Sequence, residues 1–173
     1  MIKIEFNDAE VQAALGNLSD ALTDMSPVMN RIGMFLVAST EKRFDDTEAP
    51  DGSQWAPRSP VTLAIYAREK PPPTFGPVLH KSGTLRQSIN HSYGPDEVTV
   101  GTNVFYAQVQ QLGAVKGSLG AYWFTSEKGK QVDGSSPWGN IPARPFIGVS
   151  DSDRVGILDI IAESLARAVS GEA

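Results

Sequence analysis

The sequence predicts an α+β fold, in which two helices precede a strand-rich middle and one helix follows it. Apolar residues recur at three- and four-residue steps near both ends of the chain, which is typical of amphipathic helices. Between these ends, short alternating segments are separated by glycine and proline, which is typical of β-hairpins. We therefore expect one domain over residues 1–173, with a central antiparallel sheet of hairpins and a C-terminal helix packed on that sheet.

The N-terminal part predicts a short strand and two helices. Residues 2–6 alternate apolar and polar side chains, as a strand does. A second helix is expected to begin at Ser26, with serine as its cap and Pro27 at the first helical position, and to end near Phe44. The helix before it is predicted from an apolar face formed by Val11, Ala14, Leu15, Leu18 and Leu22.

Residues 45–80 predict an irregular, proline-rich arm. Seven of the twelve prolines of the chain lie between Pro50 and Pro77. Proline fixes φ and lacks a donor, so regular structure is interrupted there, apart from one short helix at about 60–68. Long irregular segments of compact domains are often binding loops or arms, and we expect the same here.

The following segments predict two hairpins with a helix between them. Residues 82–90 indicate a short helix or turn, and the Gly-Pro-Asp sequence at 94–96 indicates the turn of the first hairpin. Helical spacing at 104–113 ends at a glycine. Six glycines surround an aromatic run at 113–140, and this segment is expected to form a second, glycine-rich hairpin loop with its tip at 127–129.

The last segment predicts a strand and a long helix. The sequence PFIGV at 145–149 is strand-like, and Ser150 or Asp151 can cap the helix that follows. Carboxylates at 151 and 153 could also bind calcium, but the ligand loop for that ion is missing, so capping is the favoured interpretation. The apolar face of this helix is formed by Ile157, Ile160, Ile161, Leu165 and Val169.

Composition limits the classes of protein to consider. The chain has no cysteine, which excludes disulfides and thiolate metal sites. It shows neither a secretory leader nor an apolar run near the roughly 18 residues of a membrane span, so we expect a soluble protein without membrane partners. Residues 1–50 carry nine acidic and four basic side chains, and residues 151–173 carry five acidic and two basic ones. Residues 51–150, in contrast, carry six acidic and nine basic side chains. This division suits self-association, and it equally suits an unevenly charged solvated surface.

No catalytic, metal or cofactor site is predicted. His80 and His91 lie beside turns and lack partners at metal-ligand spacing, so structural roles are favoured. Lys81 and Ser82 are adjacent, and adjacent residues rarely converge on one reacting atom. The aromatic run at 122–124 could stack nucleic-acid bases, but alternate strand residues face opposite ways, which favours hairpin packing.

Four blocks of sequence occur in a distinctive order. They read DGSQW at 51–55, LHKSGTL at 79–85, VGTNVFYA at 100–107 and PARPFIG at 142–148. In this order they resemble the tailed-phage virion morphogenesis family, the tail-completion proteins of Mu-like and P2-like phages. The motif residues, which are also the expected interface residues, are Asp51, Gly52, Trp55, Ser82, Gly83, Leu85, Gly101, Asn103, Tyr106, Arg144, Pro145 and Phe146.

The resemblance implies a structural protein, not an enzyme, which is made in the host cytoplasm and incorporated into the virion. It implies a homo-oligomer, a hexameric ring at the neck that completes the tail and joins it to the head. The implied partners are the tail-tube or tail-terminator protein and the head connector, with DNA passing through the ring. Family members often carry histidine near position 110, whereas this chain has Gln110 and Gln111, which argues against a histidine-dependent role.

Two alternative functions remain. The first is another position in the same assembly, as a tail-tube terminator or a head-side connector. The second is a hydrolase of phage or host polymers, for which the sequence shows no cluster of titratable groups. Arg144, between Pro142 and Pro145, also has two interpretations: bonds that hold its own segment, or a contact to the next subunit.

Overall fold

The computed structural model describes residues 9–69, 76–116, 123–125, 131–133 and 140–171. The predicted strand at 2–6 and the predicted hairpin tip at 127–129 lie outside these residues. The elements, in chain order, are α1 (Ala9–Thr23), α2 (Ser26–Asp46), α3 (Pro60–Tyr66), α4 (Thr84–Gln87), β1 (Asn90–Tyr93), β2 (Val98–Gly101), α5 (Ala107–Leu112), β3 (Trp123–Thr125), β4 (Gln131–Asp133) and α6 (Asp151–Ser170).

The chain divides into two compact units. The terminal unit contains Met1–Ser39, Asn90–Val100 and Asp151–Ala173, and the central unit contains Thr40–Ile89 and Gly101–Ser150. The described parts of the proline-rich arm at 45–80 and of the glycine-rich segment at 113–140 belong to the central unit. The interpretation of residues 1–173 as a single domain stays a prediction.

In the terminal unit, α1 packs against α6. Two glycines let aromatic rings pack directly on the backbone in this unit. A Cβ on Gly156 would lie 2.5 Å from the ring of Phe35, and a Cβ on Gly33 would overlap the ring of His91. The imidazole Nε2 of His91 lies 2.9 Å from Oδ1 of Asn30. His91 therefore has a packing and hydrogen-bonding role inside this unit.

The central unit is organised around an aromatic cluster. The ring of Phe44 lies 5.4 Å from that of Trp55, edge to face, and 5.4 Å from that of Phe146. Such geometry adds to the energy of burial, which is large for aromatic side chains. Leu85 and Ala107 are also buried in this unit. Each of the four motif blocks thus contributes a buried side chain, namely Trp55, Leu85, Ala107 and Phe146.

The α+β class is confirmed, with differences of arrangement. The two hairpins, β1–β2 and β3–β4, form separate two-stranded sheets and not one central sheet. In the second hairpin, Trp123 pairs with Asp133 and Thr125 with Gln131. Within the described residues, the C-terminal helix packs against α1 and also contacts α2, and the expected packing on a sheet is not seen there. Helix–helix packing buries part of the apolar face of both helices, which removes the need for a sheet beneath α6.

The helix starts are largely as predicted. Ser59 caps α3 by accepting the backbone N–H of Thr62 at 3.2 Å. At the start of α2, the carboxylate of Asp24 accepts the backbone N–H of Ser26 at 2.9 Å, so Asp24 takes the capping role expected of Ser26. Hydrogen bonds from Ser26 lower the pKa of Asp24. None of the helices in the described parts of the chain has the length and apolar character that spanning a bilayer requires.

The apolar face predicted for α1 is only partly covered. Ala14 and Leu18 are half-buried, whereas Val11, Leu15 and Leu22 are exposed. Periodicity predicts that a helix has an apolar face, but it does not say how much of that face the same chain covers.

Candidate assembly interface

The segment 142–148, which we call the strap, is held by side chains and not by a strand ladder. The guanidinium of Arg43 donates from Nη1 to the carbonyl of Phe146 at 3.1 Å and to that of Gly148 at 2.9 Å. The indole Nε1 of Trp55 donates to the carbonyl of Pro145 at 2.8 Å. Buried carbonyls need such partners, because an unsatisfied one costs free energy comparable to a lost hydrogen bond.

The carboxamide of Gln111 supplies further partners of the strap, beside the bond from the backbone N–H of Arg144 to the carbonyl of Gln110 at 2.7 Å. Its Oε1 accepts the backbone N–H of Phe146 at 2.9 Å and that of Ile147 at 3.1 Å, and its Nε2 donates to the carbonyl of Ile147 at 2.9 Å. The strand predicted at 145–149 is therefore wrong. A side-chain amide takes the place of the neighbouring strand that this apolar segment would otherwise require.

Arg144 is directed into its own unit. Its Nε donates to the carbonyl of Ala56 at 2.8 Å and its Nη2 to that of Pro57 at 2.9 Å, and the residue is buried. Burial and the nearby charge of Arg58 lower the pKa of Arg144. The first interpretation of Arg144, bonds that hold its own segment, matches this geometry, and a contact to the next subunit stays a prediction.

A second arginine fixes the proline-rich arm in the same way. Arg58 donates from Nη1 to the carbonyl of Gly76 at 2.9 Å and from Nη2 to the carbonyls of Pro77 and His80. In the part of the chain that the structure describes, neither Arg58 nor Arg144 pairs with a carboxylate. Two guanidinium charges therefore lie close together with backbone carbonyls as their partners.

Beside these arginines lies a cleft of about 820 Å³ within the central unit. Its apolar wall includes Val61 and Ile65 of α3 and Ile141 before the strap. At its rim, Lys81 pairs with Glu69 at 2.7 Å and lies 4.7 Å above the ring of Tyr66. The hydrogen bond from Lys81 to Glu69 raises the pKa of Lys81. Since Glu69 is paired with Lys81, the two arginines give the cleft a net positive charge.

The first motif block forms a turn that places Trp55. The carboxylate of Asp51 accepts the backbone N–H of Ser53 at 2.9 Å and its hydroxyl at 2.6 Å, and these bonds lower the pKa of Asp51. Gly52 has φ +80°, a backbone conformation that favours glycine. The backbone N–H of Trp55 then donates to the carbonyl of Thr47 at 2.8 Å. This block is thus structural in its own unit.

The second block starts α4. Gly83 precedes the helix with φ +79°, and Leu85 is buried. The hydroxyl of Ser82 lies 2.8 Å from that of Thr84 and borders the cleft. His80 borders it too, while its backbone carbonyl accepts from Arg58.

The third block carries fewer contacts. Gly101 is the last residue of β2, and Asn103 is exposed. Tyr106 meets the ring of Phe105 edge to face at 5.3 Å and borders the cleft.

The structure therefore separates the predicted site residues into groups. Trp55 donates to the carbonyl of Pro145 at the strap, and the rings of Trp55 and Phe146 both contact Phe44. Four others border the cleft, namely Ser82, Leu85, Tyr106 and Arg144. The residues that do not line the cleft are Asp51, Gly52, Gly83, Gly101 and Asn103.

Sequence reasoning missed three residues that hold this site. Arg43 is a basic residue at the end of an amphipathic helix, a position that usually indicates a solvated charge. Arg58 lies in the arm and had no predicted role. Gln111 had no predicted role beyond its place in a helix, and its partners Phe146 and Ile147 lie 35 and 36 residues away in the chain.

No cluster of three metal-ligating residues occurs within the described ranges. The polar groups at the strap are engaged with backbone atoms, which is what a structural frame requires. The chain belongs to the phage virion morphogenesis family, whose model it matches over residues 6–166. This membership confirms the resemblance carried by the four motif blocks.

Two curated relatives align over nearly their whole lengths. Mu-like prophage FluMu G protein 2 of Haemophilus influenzae is 27% identical over 164 residues, which cover 94% of this chain and 95% of the relative. Putative capsid assembly protein G of Escherichia phage Mu is 27% identical over 160 residues, which cover 92% of this chain and 90% of the relative. No solved structure matches the chain.

Proposed function

We propose that this chain is a structural virion protein of a tailed phage that completes the tail and joins it to the head, as a ring of identical copies at the neck. The family match over residues 6–166 carries the proposal, because it ties the chain to virion morphogenesis. The strap contacts support it, since the motif residues hold a frame instead of forming a reaction centre.

A ring requires a heterologous interface, in which one face of a copy meets a different face of the next. The two units differ in charge in the way such an interface needs. The terminal unit carries twelve acidic and four basic residues, whereas the central unit carries eight acidic and eleven basic residues. Opposite charges on the two faces would align successive copies and disfavour wrong pairings. We expect six copies.

The neighbours of the ring would be the tail-tube or tail-terminator protein on one side and the head connector on the other. An acidic channel would let DNA pass without sticking, because attraction to phosphates holds DNA to proteins. This part of the proposal assumes that the acidic terminal unit faces the channel. A ring structure with that unit on its outer surface would contradict it.

A second candidate is a head-side position in the same assembly. The name of the phage Mu relative, a putative capsid assembly protein, favours it. The two candidates differ in the particles that would accumulate when the protein is missing.

The test is a phage or prophage from which the gene is deleted, with the lysate imaged by negative-stain electron microscopy. We expect DNA-filled heads and complete-length tails that remain separate, and joined particles when the gene is supplied from a plasmid. Tails accompanied by empty or absent heads would favour the head-side candidate. Joined, infectious particles from the deletion mutant would contradict both.

A further inference from the structure

The cleft of the central unit has the chemistry of a receptor for an apolar side chain next to a carboxylate. Val61 is 56% exposed on its wall, and this exposure leaves apolar surface for a partner to bury. Arg58 and Arg144 border the same cleft with backbone carbonyls as their described partners. A carboxylate brought beside them would form charge-assisted interactions that the isolated chain lacks.

The terminal unit carries a surface of the complementary kind on α6. Val155 and Leu158 are 59% and 65% exposed, and Ala162 and Val169 continue the exposed apolar line at helical spacing. Asp159 is exposed beside Leu158 and forms no ion pair within the described ranges. We call Val155, Leu158, Asp159, Ala162 and Val169 the α6 stripe.

The other acidic side chains of α6 are engaged within the chain. Glu163 pairs with Arg31 of α2 and with Arg167, and Asp151 lies 3.8 Å from Arg154. Asp153 is buried and accepts from Ser39 at 2.5 Å. Asp159 is therefore the carboxylate of the described helix that is available to a partner.

We propose that the α6 stripe of one copy docks into the cleft of a second copy, with Leu158 against Val61 and Asp159 facing Arg58 and Arg144. The inference rests on the proposed ring and names the surfaces that form its repeated contact. Charge complementarity identifies the occupant, because the stripe belongs to the acidic unit and the cleft to the basic one. The contact is heterologous, so it can repeat from copy to copy and close a ring.

The test uses two variants of the full chain, each blocked on one surface. Val61→Asp places a carboxylate on the cleft wall, and Leu158→Asp places one in the stripe. Both positions are exposed, so folding should persist, and circular dichroism checks it. The control is Leu63→Asp, also an exposed apolar residue of α3 but outside the cleft. Sedimentation velocity and light scattering measure association at low salt.

We expect the wild type and Leu63→Asp to associate equally, and each blocked variant alone to associate more weakly by at least about tenfold. Val61→Asp sets a carboxylate against Asp159, and Leu158→Asp forces a carboxylate against the apolar wall at Val61. A mixture of Val61→Asp and Leu158→Asp should form a one-to-one complex, since one variant keeps a working stripe and the other a working cleft. That complex should dissociate as salt is raised, because exposed charges are screened.

Three results would overturn the inference. In the first, Val61→Asp associates as strongly as the wild type. In the second, the mixture of Val61→Asp and Leu158→Asp stays monomeric. In the third, Leu15→Asp loses association but Leu158→Asp does not, which would assign the contact to α1. The deletion mutant tests the proposed function independently. If heads and tails fail to join without the gene but the mixture stays monomeric, the joining function stands and the docking contact is wrong.

Discussion

Gln111 and Ile147 are joined by two hydrogen bonds that run in opposite directions. The carboxamide Oε1 accepts the backbone N–H of Ile147 at 3.1 Å, and Nε2 donates to its carbonyl at 2.9 Å. An amide side chain thus bonds a peptide group as a neighbouring strand would. This relationship explains how an apolar segment without a strand partner remains in place beside the aromatic cluster.

Replacing Gln111 with leucine should destabilise the chain by about 3 kcal/mol. The change leaves the N–H groups of Phe146 and Ile147 and one carbonyl without partners, and each such group costs about 1–3 kcal/mol when water cannot replace the bond fully. The matched control is Gln108→Leu on the exposed side of α5, which should change little. Urea unfolding measures both, and equal stabilities for the two variants would contradict the assigned role of Gln111.

Gly113→Ala should cost more than Gly52→Ala. Both glycines have positive φ, +74° and +80°, so alanine is strained at either position by about 1–3 kcal/mol. At Gly113 a Cβ would also lie 2.7 Å from the carbonyl oxygen of Ile141 and 2.8 Å from the backbone nitrogen of Ala143, whereas at Gly52 it meets open space. The difference between the two unfolding free energies isolates the clash, and no difference would contradict this packing.

Arg144→Ala should destabilise the isolated chain by about 1–3 kcal/mol, because it removes two bonds from a charged donor and leaves the carbonyls of Ala56 and Pro57 without them. Arg154→Ala, at an exposed position of α6, is the control and should be near neutral. Thermal unfolding of the monomer gives the comparison. An Arg144→Ala chain as stable as the wild type would show that the strap does not depend on these bonds.

Glu163 should make stability depend on pH in the acid range. Its pKa is lowered, first by the hydrogen bond from Arg31 and then by the charge of Arg167. A lowered folded-state pKa contributes stability that is present above the ordinary value of 4.5 and is lost as pH falls through the folded value. Denaturant midpoints of the wild type and Glu163→Gln should therefore differ at pH 7, and the difference should be smaller at pH 3. A constant difference at both pH values would contradict the assignment.

Local patterns in the sequence predicted most of the regular elements. Serine before proline marked the start of α2, and alternating residues around a Gly-Pro-Asp turn marked the first hairpin, because helix starts and turns depend on neighbours in the chain. The strap could not be predicted in this way. Its apolar residues look like a strand, and the partners that replace the strand ladder, Arg43 and Gln111, lie far away in the sequence.

The candidate interface was predicted in the same partial manner. The proline on each side of Arg144 indicated a held arginine, but not that its donors would meet carbonyls of the arm. Helical periodicity indicated an apolar face on α6, but it could not show that Val155 and Leu158 would stay exposed, because coverage depends on tertiary packing. The family resemblance supplied the class of protein, which no local pattern could provide.

The position of the chain in the virion tests the central claim most directly. Cryo-electron microscopy of intact particles, with the protein fused to a compact tag at its C-terminus, would show where the added density lies. The account predicts a ring of added density at the neck, between the head connector and the tail tube. Added density at the distal end of the tail, on the head surface alone, or nowhere in the finished particle would contradict it.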